Sequence, residues 1–124
     1  MTAPTIVNLK DVKDSAVDFG LSPDLEARFA RDDLGCEQTG LSYQRLAPGA
    51  GHPFAHRHVG HEELYVVVGG AGRVVLDGEP RELRRWDVVR VPAETWRAFE
   101  AGDDGIELLA IGPAGSDKLE TRPA

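Results

Sequence analysis

At 124 residues, with 41% hydrophobic residues, 14 glycines and 8 prolines, the chain has the size of one domain with one core and the composition of a turn-rich folded protein. A formal net charge of −7, with no local Lys/Arg cluster, opposes phosphate backbones and anionic lipid surfaces, so neither a nucleic-acid nor a membrane partner is expected. Cys36 is the single cysteine, which excludes an internal disulfide and a cysteine-rich metal site. With no signal-peptide core and no stretch near the roughly 18 apolar residues of a membrane span, a cytoplasmic location is expected.

In chain order, Ile6, Val7 and Leu9 suit a short strand. The segment 22–31, SPDLEARFAR, reads as the one short helix: Ser22 as its cap, Pro23 at its first position, and Leu25 and Phe29 spaced i, i+4. LSYQRLAPGAG follows as a strand stopped by Pro48-Gly49. Beyond it no helical period is found, only short β-type runs between turn residues. LYVVV (64–68) ends at Gly69-Gly70, and GRVVLDGE carries the tight-turn pair Asp77-Gly78. DVVRVP is closed by Pro92, TWRAFEA leads to a turn at Gly102-Asp103-Asp104-Gly105, and GIELLAIG forms the last strand. Strands of this length and spacing indicate an all-β sandwich or barrel. The polar tail from Pro113 to Ala124 is expected to be loosely held or to drape over a sheet edge or a partner subunit.

Three of the chain's four histidines lie in HRHVGHEELYVVVGG, positions 56–70, and His52 lies just upstream. Side chains alternate along a strand, so His56 and His58 share a face with α-carbons roughly 6.5 to 7 Å apart, and both imidazoles can converge on one point. Glu62 or Glu63 from the next strand would add a carboxylate, giving an N, N, O set suited to Mn, Fe, Ni, Co or Zn. Clustered histidines beside charged residues also occur in plain solvated loops.

From Ala47 onward the chain resembles the cupin superfamily, small β-barrels of jelly-roll topology. The first cupin motif is a glycine, five residues, His-x-His, three or four residues, Glu, six residues and a glycine. Here His56, His58, Glu63 and Gly70 fit the four-residue version, and Glu62 with Gly69 fits the three-residue version. Glu63 is preferred because GAGRVVLDGE then aligns with Gly70; the leading glycine falls on Ala50. The second motif, glycine, five residues, Pro-x-Gly, two residues, His, three residues, Asn, matches at Pro92 alone. Trp86 and Glu94 stand at its two glycines, Arg97 at its metal-ligating histidine and Ala101 at its asparagine.

The resemblance implies an all-β, single-domain cupin barrel over 1–124, with a strand-and-helix segment at 1–40, a barrel core at 41–112 and a tail at 113–124. It also implies a homodimer paired through edge strands and terminal segments, with a small-molecule ligand in the barrel cavity. His56, His58 and Glu63 are the implied metal ligands; Arginine cannot ligate a metal, so Arg97 leaves a three-ligand site or, in a metal-free cavity, pairs with Glu63 or clamps a ligand's carboxylate or phosphate. Tyr65, two residues after Glu63, would line that cavity or fill the core. His52 and His61 are read as exposed or loop-stabilising, Trp86 and Trp96 as core or interface packing, Cys36 as a small buried or incidental thiol, and Arg84-Arg85 as a solvated turn. Three readings stay open: a metal-containing cupin acting on a small organic acid, phenol or sugar derivative; a metal-free binder of an anionic small molecule; and a barrel serving protein interaction.

Overall fold

A computed structural model describes residues 3–113 and 118–124. Two single-turn 3-10 segments, Leu9–Asp11 and Val17–Phe19, precede eight antiparallel strands and one helical turn. The strands are β1 (Leu25–Phe29), β2 (Thr39–Leu46), β3 (Phe54–His58), β4 (Glu63–Leu76), β5 (Glu79–Leu83), β6 (Val88–Val91), β7 (Arg97–Pro113) and β8 (Leu119–Pro123). They form one curled sheet with the order β1-β2-β7-β3-β8, and β4 pairs with β5, β6 and β7.

The N-terminal helix is not where the sequence pattern puts it. Residues 25–29 are β1, paired with β2 from Leu25 opposite Leu46 to Phe29 opposite Ser42; the helical turn α1 occupies Arg31–Leu34 and stops at Gly35, whose φ is 70°. The reason is a degeneracy of spacing: residues i and i+4 share a face in a strand as well as in a helix. Glu26 on the opposite face decides the matter, because in the strand its carboxylate meets Lys10, Arg28 and Arg45 at 2.7, 2.6 and 3.2 Å. The strand expected around Ile6–Leu9 is also absent; Leu9 begins the first 3-10 turn instead.

Two expected strand ends are bends inside long strands. Gly69-Gly70 does not terminate β4, and Gly102–Gly105 does not reverse the chain, since both halves of β7 pair with the same strand β4. Val68 is an extra residue on β4, and Gly102–Gly105 bulge from β7 opposite Ala71. Each irregularity switches which side chains face inward. On β4, Tyr65 and Val67 point into the core before it and Val74 after it; on β7, Phe99 does so before it and Ile106, Leu108 and Ala110 after it. Glycine is required where the bent strands touch. Gly70 has a φ of 66°, and a methyl there would collide with the Gly105 carbonyl, as one on Gly72 would with the Glu100 carbonyl.

The Asp77-Gly78 hairpin turn forms as expected, both residues having positive φ, 47° and 85°. In the tail, residues 114–117 lie outside the described residues, while β8 pairs with β3 in register, His56 opposite Thr121 and His58 opposite Leu119. The tail thus covers an edge of the sheet.

Candidate functional site

Strand β3 alternates as expected, so His56 and His58 project to the same side, with ring centroids 5.2 Å apart and planes at 88°. Glu63, the first residue of β4, meets them: its Oε1 lies 3.9 Å from His56 Nε2 and 3.4 Å from His58 Nε2. One ligand atom from each of the three residues fits within a 4.8 Å span. Glu62 turns away and pairs with Arg90 at 3.2 Å on the exposed surface. The carboxylate brought to the histidines is therefore Glu63.

Tyr65 is two residues along β4 on the same face, and its hydroxyl donates to Glu63 Oε1 and lies 3.4 Å from His56 Nε2. Burial pushes the Glu63 carboxyl up, but the neighbouring His56 and His58 imidazoles and the Tyr65 hydroxyl outweigh it and hold the group well below the usual carboxylate range. Burial and the Glu63 charge together raise the Tyr65 phenol far above its ordinary value, against the opposing pull of Arg97. A permanent carboxylate thus sits under two imidazoles with a neutral phenol holding one of its oxygens.

His52 does a different job. Its backbone N–H donates to Phe99 O at 2.9 Å and its Nδ1 accepts from Phe99 N at 3.1 Å. Burial, with a contribution from His56, lowers it to about 4. It is a half-buried brace, which fits the loop-stabilising reading of this histidine rather than the exposed one. His61 stacks on His58 at 4.5 Å with an interplanar angle of 27°.

Arg97 lies opposite His56 in the β3–β7 register, on the same sheet face. Its Nη1 donates to the His56 carbonyl at 3.4 Å, while Nε and Nη2 are buried without a hydrogen-bond partner among the described residues. It does not pair with Glu63 in the way a metal-free cavity was expected to allow. Arg97 is 0% exposed and Tyr65 1%, so both stand behind the cavity surface rather than on it.

The cavity itself, about 330 Å³, opens beside His52, His56 and His58, with Leu25, Phe29 and Gln44 among its walls. Leu119 and Thr121 of β8 complete it. Sequence reasoning missed these two because the LETRP segment is too polar and too short to announce a strand. The aromatic expectations divide: Trp96 is held between the Arg57 and Arg122 guanidinium groups, 4.7 and 4.2 Å from its ring centroid, whereas Trp86 is 65% exposed beside Arg85 and is no core residue.

Trp86 and Glu94 carry a second signal. Both have left-handed backbones, with φ of 75° and 70°, at the two positions where the second cupin motif has glycine. The Glu94 N–H donates to the His58 carbonyl at 2.6 Å. The backbone keeps the shape the motif requires although its glycines are gone.

Fold and site together define a jelly-roll β-barrel with an N, N, O donor set at the mouth of its cavity. The Cupin domain family model matches residues 42–112, and the chain belongs to the cupin family. A cupin protein from Bacteroides fragilis is 28% identical, with a TM-score of 0.74 over 94% of this chain and 89% of that one. A polyketide cyclase from Streptomyces resistomycificus shares the fold at 19% identity, with a TM-score of 0.77 over 97% of this chain and 84% of the other. An uncharacterised protein from Methanocaldococcus jannaschii is 27% identical over 67 residues, 53% of this chain; the chain spans about half the length of that curated relative, 54%.

Proposed function

We propose that this cupin holds a divalent metal ion on His56, His58 and Glu63 and binds, or acts on, a small organic molecule in the cavity beside them. The observation that carries the reading is the convergence of two imidazole nitrogens and one carboxylate oxygen within 4.8 Å. The donor set fits an ion: ligand distances of about 2.1 Å imply donors about 3 to 3.5 Å apart, against the 3.4 and 3.9 Å separating the imidazole nitrogens from Glu63 Oε1. A divalent ion bound there would supply a Lewis-acid or oxygen-activating centre. Glu63 contributes a full negative charge, which Tyr65 orients from behind. Arg97, at the fourth motif position, cannot ligate, so water and substrate would fill the remaining sites. The same proposal includes a homodimer and, from the net charge of −7, neither a nucleic-acid nor a membrane partner. Among the described residues no helix is long and apolar enough to cross a membrane.

A metal-free ligand-binding cupin is the second reading, favoured by one fact. Glu63 Oε1 accepts the Tyr65 hydroxyl, which competes with an ion for that oxygen.

Elemental analysis of tag-free protein separates the two readings. Near-stoichiometric metal that disappears in His56→Ala/His58→Ala and in Glu63→Gln, but survives Glu62→Gln, is the expected result. Protein that stays empty after incubation with Mn, Fe, Ni, Co and Zn would refute the metal reading.

A further inference from the structure

We infer that Arg97 is the ligand-recognition residue of this barrel, and that the ligand is a small organic monoanion whose carboxylate docks on the Nε–Nη2 edge of the guanidinium. The inference rests on the reading that the barrel cavity is the ligand site, and it holds with or without a metal.

The starting point is an unsatisfied charge. Arg97 is fully buried, yet Nε and Nη2 have no hydrogen-bond partner among the described residues. Arginine stays protonated at any accessible pH, so it cannot escape the cost of burial by neutralising. Glu63, the carboxylate of the site, accepts the Tyr65 hydroxyl and gives no hydrogen bond to Arg97 Nε or Nη2. Nη1 alone is used, on the His56 carbonyl.

The identity of the two idle atoms is informative. Nε–H and Nη2–H point the same way in the guanidinium plane and form the fork that grips both oxygens of a carboxylate at once. The Nη1 contact fixes the group so that this fork is the part left over. Arg97 also stands opposite His56 on the same face of the sheet, and His56 lines the cavity. Arg97 is fully buried, so a ligand there reaches the guanidinium as side chains of the cavity wall move aside.

Charge and lining narrow the ligand further. Among the described residues no Lys or Arg lines the cavity, whereas Leu25, Phe29 and Phe54 do. A single guanidinium suits one negative charge, and the apolar walls suit a hydrocarbon or aromatic body; in the metal-free protein a phosphate dianion would lack a second cation.

The test uses full-length protein labelled with 15N, both chelator-treated and metal-loaded, titrated with acetate, benzoate, benzamide and inorganic phosphate. The Arg97 Nε–H resonance is read directly. Benzoate should shift it saturably in both preparations, with benzamide at least about 10-fold weaker and phosphate weaker than benzoate. Arg97→Lys should weaken benzoate binding about 10- to 100-fold while retaining the wild-type metal content. No Nε shift with either acid overturns the inference, as does unchanged benzoate affinity in Arg97→Lys. Phosphate binding more tightly than benzoate overturns the monoanion assignment. Because the resonance is observed in the wild type, a poorly folded variant does not blunt the test. Metal absent with benzoate bound would defeat the metal reading alone; metal present without carboxylate binding would defeat this inference alone.

Discussion

Glu94→Gly should stabilise this protein, although it deletes a side chain and adds chain entropy to the unfolded state. Glu94 has a φ of 70°, a conformation that costs a residue with a β-carbon about 1 to 2 kcal/mol and glycine almost nothing. Glycine gives back about 0.5 to 1 kcal/mol through the flexibility of the unfolded chain. The balance is a gain of about 0.5 to 1 kcal/mol. Trp86→Gly follows the same arithmetic at φ 75°, reduced by the loss of the Arg85–Trp86 contact, 5.0 Å from cation to ring centroid. The two sites share no partner in the structure, so their effects should add, to about 1 kcal/mol or slightly more and about 3 to 5 °C in Tm. Urea unfolding of both glycine variants and of Glu94→Ala and Trp86→Ala checks the cause, since alanine keeps the β-carbon and the strain. If alanine and glycine variants have equal stability, backbone strain is not what these positions carry. The Glu94 case reaches the site, because the Glu94 N–H holds the His58 carbonyl at 2.6 Å; Glu94→Gly should leave metal content unchanged.

Three further outcomes are expected. Burial raises Glu26, but hydrogen bonds from Lys10, Arg28 and Arg45 bring it from 4.5 to about 2. Its stabilisation is therefore complete above pH 4.5 and lost as pH falls towards 2: nominally about 3 kcal/mol, but about 1 to 2 after screening, since the Lys10 and Arg45 side chains are 58% and 35% exposed. Glu26→Gln should lose that much at pH 7 and almost nothing at pH 2, and a loss of equal size at both would contradict the ion-pair account. His52, at about 4 instead of 6.5, is neutral in the fold while the unfolded chain takes up a proton, so chelator-treated wild type should lose about 3 kcal/mol between pH 6.5 and 4; His52→Asn should flatten that slope, and an unaltered slope would assign the titration elsewhere. Gly72→Ala should cost about 3 kcal/mol or more in thermal unfolding, because its methyl must push apart β4 and β7 at the Glu100 carbonyl. Gly78→Ala, with nothing within 4 Å but a φ of 85°, should cost only about 1 to 2 kcal/mol, and equal losses would show that the strand contact is not tight.

Much of the site was legible because its information is local. His-x-His on one strand face follows from the two-residue period of a strand, and Glu63 rather than Glu62 followed from aligning Gly70 with the motif glycine. The Asp77-Gly78 turn was legible for the same reason, its two positive φ values being a property of a dipeptide. Where spacing is shared between structures the reading failed, as at Leu25 and Phe29, whose four-residue interval suits β1 as well as a helix. Glycine pairs failed too. Gly69-Gly70 and Gly102–Gly105 mark departures from regular strand geometry, but a bulge within one strand and a reversal between two use the same residue types.

The sequence by itself determined the all-β class, the cupin motif and the pairing of two histidines on one face, since each depends on neighbours a few residues apart. Only the tertiary structure decided the fates of Arg97, His52 and the C-terminal segment. Arg97 is buried because β7 lays it opposite His56, forty-one residues away. His52 is a brace because Phe99 of the neighbouring strand β7 offers it an N–H. Residues 119–123 are a strand because β3 presents an open edge to them. Burial and partnership of this kind depend on which strands meet, and that is fixed by the closure of the whole sheet.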